Sequence, residues 1–383
     1  MPTPGMFITA FKYCCVVIGL ILPLWVSANT DDLPTSRLEV CFVLDTTGSM
    51  TALINGAKQK IWAIANEMIN LEPRPDIKFC LIGYRDRGDV YITRITDLTH
   101  DIDELYRVLL AFNAQGGGDG PESVNQALYE SIADISWSTD NETTIKVIYL
   151  VGDYPPHMDY PNEVQYPQTV MMAKQQGIVI NTIQCGNYHA TTPVWKDIAL
   201  NSGGHYSRIA QGGNLQIIKT PMDQDFAALN SKLGQTLLPY GNSVVRDAIK
   251  KKQSRSESAD SAVVADRLSF NNRLNKIIQT QGDLIDDIDS NLIRLEDIPE
   301  DELPENLRDI KPGERQAYVE LLSKERKEYQ RIINSLVEER RQYILEHTED
   351  KDTSFDKEVI DALKALAAKK GLNLNSKGGR SDN

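Results

Sequence analysis

From Arg37 to about Leu238 the chain alternates short apolar runs with longer stretches whose apolar residues recur at helical spacing, and no other feature restricts its fold as much. A strand that is apolar on both sides must be covered on both faces, which a parallel sheet between two helical layers achieves. Six runs qualify as strands: Leu38 to Leu44, Ile77 to Tyr84, Val90 to Ile95, Ile145 to Val151, Ile178 to Gln184 and His205 to Ile209. The pattern therefore predicts an α/β domain over residues 37–238, doubly wound around a mostly parallel six-stranded sheet. The link Arg85 to Asp89 is too short for a crossover helix, so the third strand should lie antiparallel at an edge. Leu53, Ala57, Ile61, Ile64 and Met68 share one helical face, as do Ile102, Leu105, Val108, Leu109 and Phe112 behind a cap at Asp101. Val124, Leu128 and Ile132 mark another helix, expected to open at Pro121, and Phe226, Leu229, Leu233 and Leu237 mark the last.

After Pro239 the residues become polar and charged with sparse aliphatics, which predicts a helical, coiled-coil-like extension over 239–372 and a disordered tail over 373–383. Helices are expected at Ser243 to Lys252, Ala259 to Leu284, Glu314 to about His347 and Phe355 to Lys370, with Pro299, Pro304 and Pro312 as breaks. The stripe Tyr318, Leu321, Leu322, Tyr329, Ile332, Ile333, Leu336, Tyr343 and Ile344 makes 314–347 the place for partner helices or oligomerisation.

The first 28 residues carry one charge, Lys12, then the apolar run Tyr13 to Val26 and Val26-Ser27-Ala28, the pattern of a cleaved signal peptide, followed by a linker over 29–36. The run is shorter than the roughly 20 residues of a membrane span and holds Pro23, so no stable span is expected after cleavage. The chain should be exported, to a periplasm or outside the cell. Cys41, Cys80 and Cys185 are read as buried small hydrophobes, with a Cys41 to Cys80 bridge as the alternative that export leaves open. Asp plus Glu number 54 against 41 Lys plus Arg, for a formal charge of -13, which disfavours nucleic acid and favours cations.

Three strand-end or helix-start loops gather oxygen donors. Asp45-Thr46-Thr47-Gly48-Ser49 follows a buried strand with a carboxylate and two hydroxyls at i, i+2 and i+4. Such a hard-oxygen set suits Mg²⁺, with Mn²⁺ or Ca²⁺ as alternatives, in the crevice at the carboxyl ends of the strands. Gly116-Gly117-Gly118-Asp119-Gly120-Pro121-Glu122 brings acids to the start of a helix, and Asp153 ends the run Val147 to Gly152.

In that order these elements resemble the von Willebrand factor type A domain, a Rossmann-like fold, and Leu44-Asp45-Thr46-Thr47-Gly48-Ser49-Met50 resembles its metal-ion-dependent adhesion site with Thr47 in place of the first Ser. The resemblance puts Asp45, Thr47 and Ser49 on the ligand loop, with Asp153 as the strand-end acid that reaches the ion through water. Where many members offer a Thr, this chain has Asp119-Gly120-Pro121-Glu122, similar to integrin β subunits, so Asp119 and Glu122 are alternative ligands. A carboxylate there makes the site more anionic than a Thr-type site, holding the cation tighter and leaving it a poorer Lewis acid.

The resemblance implies an exported, metal-dependent protein-binding module whose ion accepts an acidic side chain of a partner. The first rival is an assembly factor acting through its helices, with the ion only stabilising the fold, and the second, less favoured, is a hydrolase whose metal activates water. No phosphate loop, H-E-x-x-H or G-x-S-x-G elbow occurs and no general base stands at a known distance from the site, so an enzyme is not expected. His157 with Asp159 and Glu163 is read as a surface loop before a second metal site, and Tyr84-Arg85-Asp86-Arg87 as a local charge pair.

Overall fold

The computed structural model describes residues 37–348 and 354–369 apart from positions 72 and 119. The signal peptide 1–28, the linker 29–36, Asp119 and the tail 373–383 lie outside the described residues.

Six strands form one sheet, β1 (Arg37–Asp45), β2 (Asp76–Tyr84), β3 (Thr93–Thr99), β4 (Thr144–Gly152), β5 (Ile178–Cys185) and β6 (Tyr206–Ile209), in the order β3-β2-β1-β4-β5-β6. All neighbours run parallel except β2 and β3. Along β1 the side-chain alternation divides the core: Val40, Phe42 and Leu44 face one helical layer, Cys41 and Val43 the other. α1 (Thr51–Ile69) and α2 (Ile102–Ala111) cover the first face; α3 (Val124–Ala133), α4 (Tyr166–Gln175) and α5 (Thr191–Ser202) belong to the second. This is the doubly wound arrangement that the alternation of runs predicts.

Three expectations shift. β3 starts at Thr93 rather than Val90, because Tyr91 is used elsewhere. Its ring lies under Arg85 and Arg94, and its hydroxyl bonds Thr46, while Val90 is 84% exposed. α3 opens at Val124 and not at Pro121, because the Glu122 N–H is donated to the Pro155 carbonyl. Cys41 and Cys80 stand opposite each other on β1 and β2 and form a disulfide, so the reading as free buried thiols holds for Cys185 alone.

The later helices are α6 (Asp223–Gln235), α7 (Ser243–Glu257), α8 (Ser261–Arg273), α9 (Leu284–Asp289), α10 (Glu305–Arg308), α11 (Pro312–His347) and α12 (Phe355–Lys369). From Arg37 onward the described residues form one compact unit. α12 closes the first face of the sheet, with Phe355, Val359 and Leu363 in the same core as Phe42 and Tyr149, and the Tyr149 hydroxyl donating to the Val359 carbonyl at 2.7 Å. The helix expected over 259–284 ends at Arg273, where Asn275 takes a left-handed conformation (φ 53°) and Lys276 N–H returns to the Asn271 carbonyl. Pro312 starts α11 rather than breaking the chain, since a first-turn residue has no N–H bond to lose. α11 spans roughly 54 Å at 1.5 Å per residue.

The stripe on α11 is only partly apolar contact. Leu322 and Ile333 are buried against helices of the same chain, whereas Leu321 (53%) and Ile332 (40%) are exposed. Arginines complete the inner face: Arg315, Arg326 and Arg340 are buried, each on carboxylates of other segments. Among the described residues no helix is long and apolar enough to cross a membrane.

Candidate metal centre

β1 and β4 lie side by side and parallel, with Leu44 opposite Val151, so both deliver an acid at the same edge of the sheet: Asp45 at the end of β1 and Asp153 just past β4. The chain after Asp45 turns at once. Thr47 donates to Asp45 Oδ1 from its N–H (2.8 Å) and its hydroxyl (2.6 Å), and its Oγ1 stands 3.3 Å from Ser49 Oγ. Thr46 points the other way, to the Tyr84 carbonyl and Tyr91. The glycine-rich segment is stitched onto this loop, with Gln115 N–H on the Thr46 carbonyl and Gly48 N–H on the Gly116 carbonyl.

That stitching brings Glu122 in. A methyl group built on Gly117 would lie 2.8 Å from Glu122 Oε1 and 2.9 Å from Thr47 Cβ, so the carboxylate and the ligand loop sandwich the Gly117 backbone, which itself sits at φ +91°. The structure thus brings together Asp45, Thr47, Ser49, Glu122 and Asp153. Gly117→Ala should lower Mg²⁺ affinity at least about 10-fold by displacing Glu122, and cost about 1–2 kcal/mol of stability for its left-handed backbone. Calorimetric titration beside urea unfolding checks both; unchanged Mg²⁺ affinity would remove Glu122 from the ligand set.

These three carboxylates are buried and repel one another. Asp45, Glu122 and Asp153 are 0%, 2% and 4% exposed, and Asp45 Oδ2, Glu122 Oε2 and Asp153 Oδ1 have no hydrogen-bond donor. Burial first, then repulsion from Asp153, pushes the Asp45 carboxyl up to about 8 in spite of the two bonds from Thr47. Glu122 is pushed up to about 10, again by burial first, then by Asp45, Asp86, Asp153 and Asp89. Three buried carboxylates, each with one unsatisfied oxygen, are costly unless a proton or a cation neutralises them. No three His, Cys, Asp or Glu groups among the described residues are placed to hold one ion by themselves; the Thr47 and Ser49 hydroxyls lie beside Asp45 as further oxygens. Oxygen-only donors of this kind fit a hard divalent cation.

Around this set lie residues whose part the sequence conceals. The turn after β2 is no local charge pair: Arg85 reaches the Asn113 carbonyl, and Arg87 pairs with Glu163 across Tyr160. Asp86, buried between them, accepts from Ser123 Oγ (3.0 Å) and the Tyr160 hydroxyl (2.9 Å). His157 is buried too, stacked on Tyr160 at 4.0 Å, with Nδ1 2.9 Å from Asp159 and Nε2 3.5 Å from Asp86. Glu163 is committed to Arg87 and Asp159 is exposed, so the three residues weighed as a second metal site do not converge, and of them only His157 is buried on Asp86. Gln211, in the loop after β6, donates from Nε2 to Asp153 Oδ2 at 2.7 Å and to the Ser49 carbonyl at 3.3 Å. Nothing in Ala210-Gln211-Gly212-Gly213 marks it as part of a site.

The sequence model of the family described as von Willebrand factor A domain matches residues 39–221, which hold β2 to β6, all but the first two residues of β1, and the loops that carry Asp45, Glu122 and Asp153. Comparison with curated proteins finds no match. Among solved structures, proximal thread matrix protein 1 from the mussel byssus is similar at 13% identity and a TM-score of 0.34, over 46% of this chain and 42% of that chain. The chain therefore spans less than half the length of that protein.

Proposed function

We propose that this von Willebrand factor A domain protein is an exported, divalent-metal-dependent protein-binding module and not an enzyme. The observation that carries the reading is the set of three buried carboxylates, Asp45, Glu122 and Asp153, each with one oxygen lacking a donor, beside the Thr47 and Ser49 hydroxyls. Those five residues would hold Mg²⁺, or Mn²⁺ or Ca²⁺ in its place. Bound there, the ion supplies a Lewis-acid position for an acidic side chain of the partner protein. The chain's own part is to preset the donors: Thr47 holds Asp45 Oδ1, Gln211 holds Asp153 Oδ2, and Gly117 lets Glu122 close against Thr47. The Cys41–Cys80 disulfide suits the oxidising compartment that the leader pattern of residues 1–28 points to.

Mg²⁺ at 100 times its dissociation constant should stabilise the fold by about 2.7 kcal/mol, or roughly 4 °C in Tm for a chain of this size. A pull-down from the native envelope or medium should recover a partner in Mg²⁺ and lose it in chelator. Absence of Mg²⁺ or Mn²⁺ uptake by calorimetry would end this reading.

A further inference from the structure

Each strand-end acid in the site has one oxygen held and one open. Asp45 Oδ1 is taken by the N–H and hydroxyl of Thr47, leaving Oδ2; Asp153 Oδ2 is taken by Gln211, leaving Oδ1. The Gln211 amide turns its nitrogen toward Asp153, and the same nitrogen stands 3.3 Å from the Ser49 carbonyl, which can only accept. Gln211 thus ties together two of the loops that carry donors. Gln211 is exposed, and its Oε1 lies over Gly186, where an added methyl group would stand 2.3 Å away.

We infer that Gln211 is a positioning residue that makes Asp153 present a single oxygen and so selects Mg²⁺ over Ca²⁺. This inference rests on the ion-site reading above. The physical reason is coordination number. Mg²⁺ takes six oxygens at about 2.0–2.1 Å and is served by carboxylates that offer one oxygen each. Ca²⁺ takes six to eight at about 2.3–2.6 Å and gains from carboxylates that offer both. With Gln211 on Oδ2, Asp153 offers only Oδ1, to the ion or to one of the waters that Mg²⁺ keeps, and cannot swing both oxygens onto the ion as Ca²⁺ favours without breaking that bond. Outer partners of this kind typically govern 10–100-fold in metal affinity.

The test uses the full chain, wild type and Gln211→Met, which keeps the side-chain length and removes the amide, titrated calorimetrically with MgCl₂ and separately with CaCl₂. Gln211→Glu, of the same shape but repelling Asp153, is the second variant, and ion-free Tm is measured for all three. The expected result is a 10–100-fold loss of Mg²⁺ affinity in Gln211→Met with a smaller loss, or a gain, for Ca²⁺, so that the Mg²⁺ to Ca²⁺ affinity ratio falls at least 10-fold. Gln211→Glu, whose added charge attracts either cation but which donates nothing to Asp153 Oδ2, should lose less Mg²⁺ affinity than Gln211→Met while its Mg²⁺ to Ca²⁺ ratio falls as well. A merely structural Gln211 would lower both affinities alike along with Tm, and an unchanged ratio overturns the inference while leaving the site intact. Wild-type protein that takes up neither ion overturns the site reading and this inference with it.

Discussion

Asp45→Asn should abolish Mg²⁺ binding and, in the same protein, raise the stability of the ion-free fold. Asn keeps the Oδ1 that accepts the two bonds from Thr47, so the loop holds its shape. It removes a buried charge whose Oδ2 has no donor and which Asp153 repels. Mg²⁺ affinity should fall at least about 100-fold, beyond the loss expected for an outer partner. The gain in ion-free stability should be on the order of 1–3 kcal/mol at pH 8, the cost of an unsatisfied buried group. The sign follows from protonation. With the Asp45 carboxyl pushed up to about 8, the native state holds a proton that the unfolded chain releases near pH 4. Wild-type ion-free stability therefore falls as pH rises from about 4 to about 8, and Asn removes that component. Glu122, pushed up to about 10, continues the same trend in both proteins. Urea unfolding in chelator at pH 5 and pH 8, beside Mg²⁺ titration, reads both halves. An Asp45→Asn protein that is less stable than wild type at pH 8, or that binds Mg²⁺ within a few-fold, contradicts the assignment. Partner capture by the same variant separates the two functional readings: loss supports the ion as the docking point, and retention supports the helices.

What the sequence discloses about the site is what chain neighbours disclose about one another. Asp45, Thr47 and Ser49 occupy one turn, and Asp153 and Glu122 announce themselves at the end of an apolar run and behind a glycine string. Gln211 lies 58 residues from Asp153, and Asp86 37 from Ser123; nothing local distinguishes either from any surface amide or acid. The same holds for the fold. The covered, mostly parallel sheet follows from strands apolar on both faces, and the edge place of β3 from the short link before it, while Tyr91 reads as strand material because its use as a platform for two arginines is a tertiary fact. Cys41 and Cys80 look like ordinary core residues because the register that sets them opposite each other is not local either. In the C-terminal helices the apolar stripe misleads at Leu321 and Ile332, because part of the buried face of α11 is arginine, whose long apolar stem and bonded head suit an interior position only when acids wait there.

Arg326 is the strongest case of that arrangement, and Arg326→Leu should cost about 3–5 kcal/mol, the loss typical of a buried ion pair stripped of one partner. The side chain is 2% exposed. Its Nη1 bonds Asp283 and Asp286, its Nη2 bonds the Thr236 carbonyl at 2.8 Å, and its Nε reaches the Thr236 hydroxyl at 3.2 Å, so one guanidinium fastens α11 to the end of α6 and to α9. Both acids have other duties, Asp283 accepting Leu238 N–H and Asp286 accepting Ile277 N–H, and neither can turn to solvent when the cation goes. Arg331, paired with Glu328 on the exposed face of the same helix, is the control and should cost under about 1 kcal/mol as Leu. pH adds a second signature. Asp286 is already pushed up to about 6, by burial and then by Asp283, with Arg326 opposing. Without Arg326 the Asp286 carboxyl moves higher, so the native variant holds a proton that the unfolded chain has lost, and its stability falls further as pH rises. The deficit of Arg326→Leu should therefore be smaller at pH 5 than at pH 8 in urea unfolding. A loss no larger than that of Arg331→Leu, or equal at both pH values, would mean that the pairs contribute no more than surface contacts. Arg326→Leu combined with Asp283→Asn and Asp286→Asn leaves no buried charge and keeps the acceptors for Leu238 and Ile277, so this triple variant should recover most of the lost stability and lose the excess pH dependence.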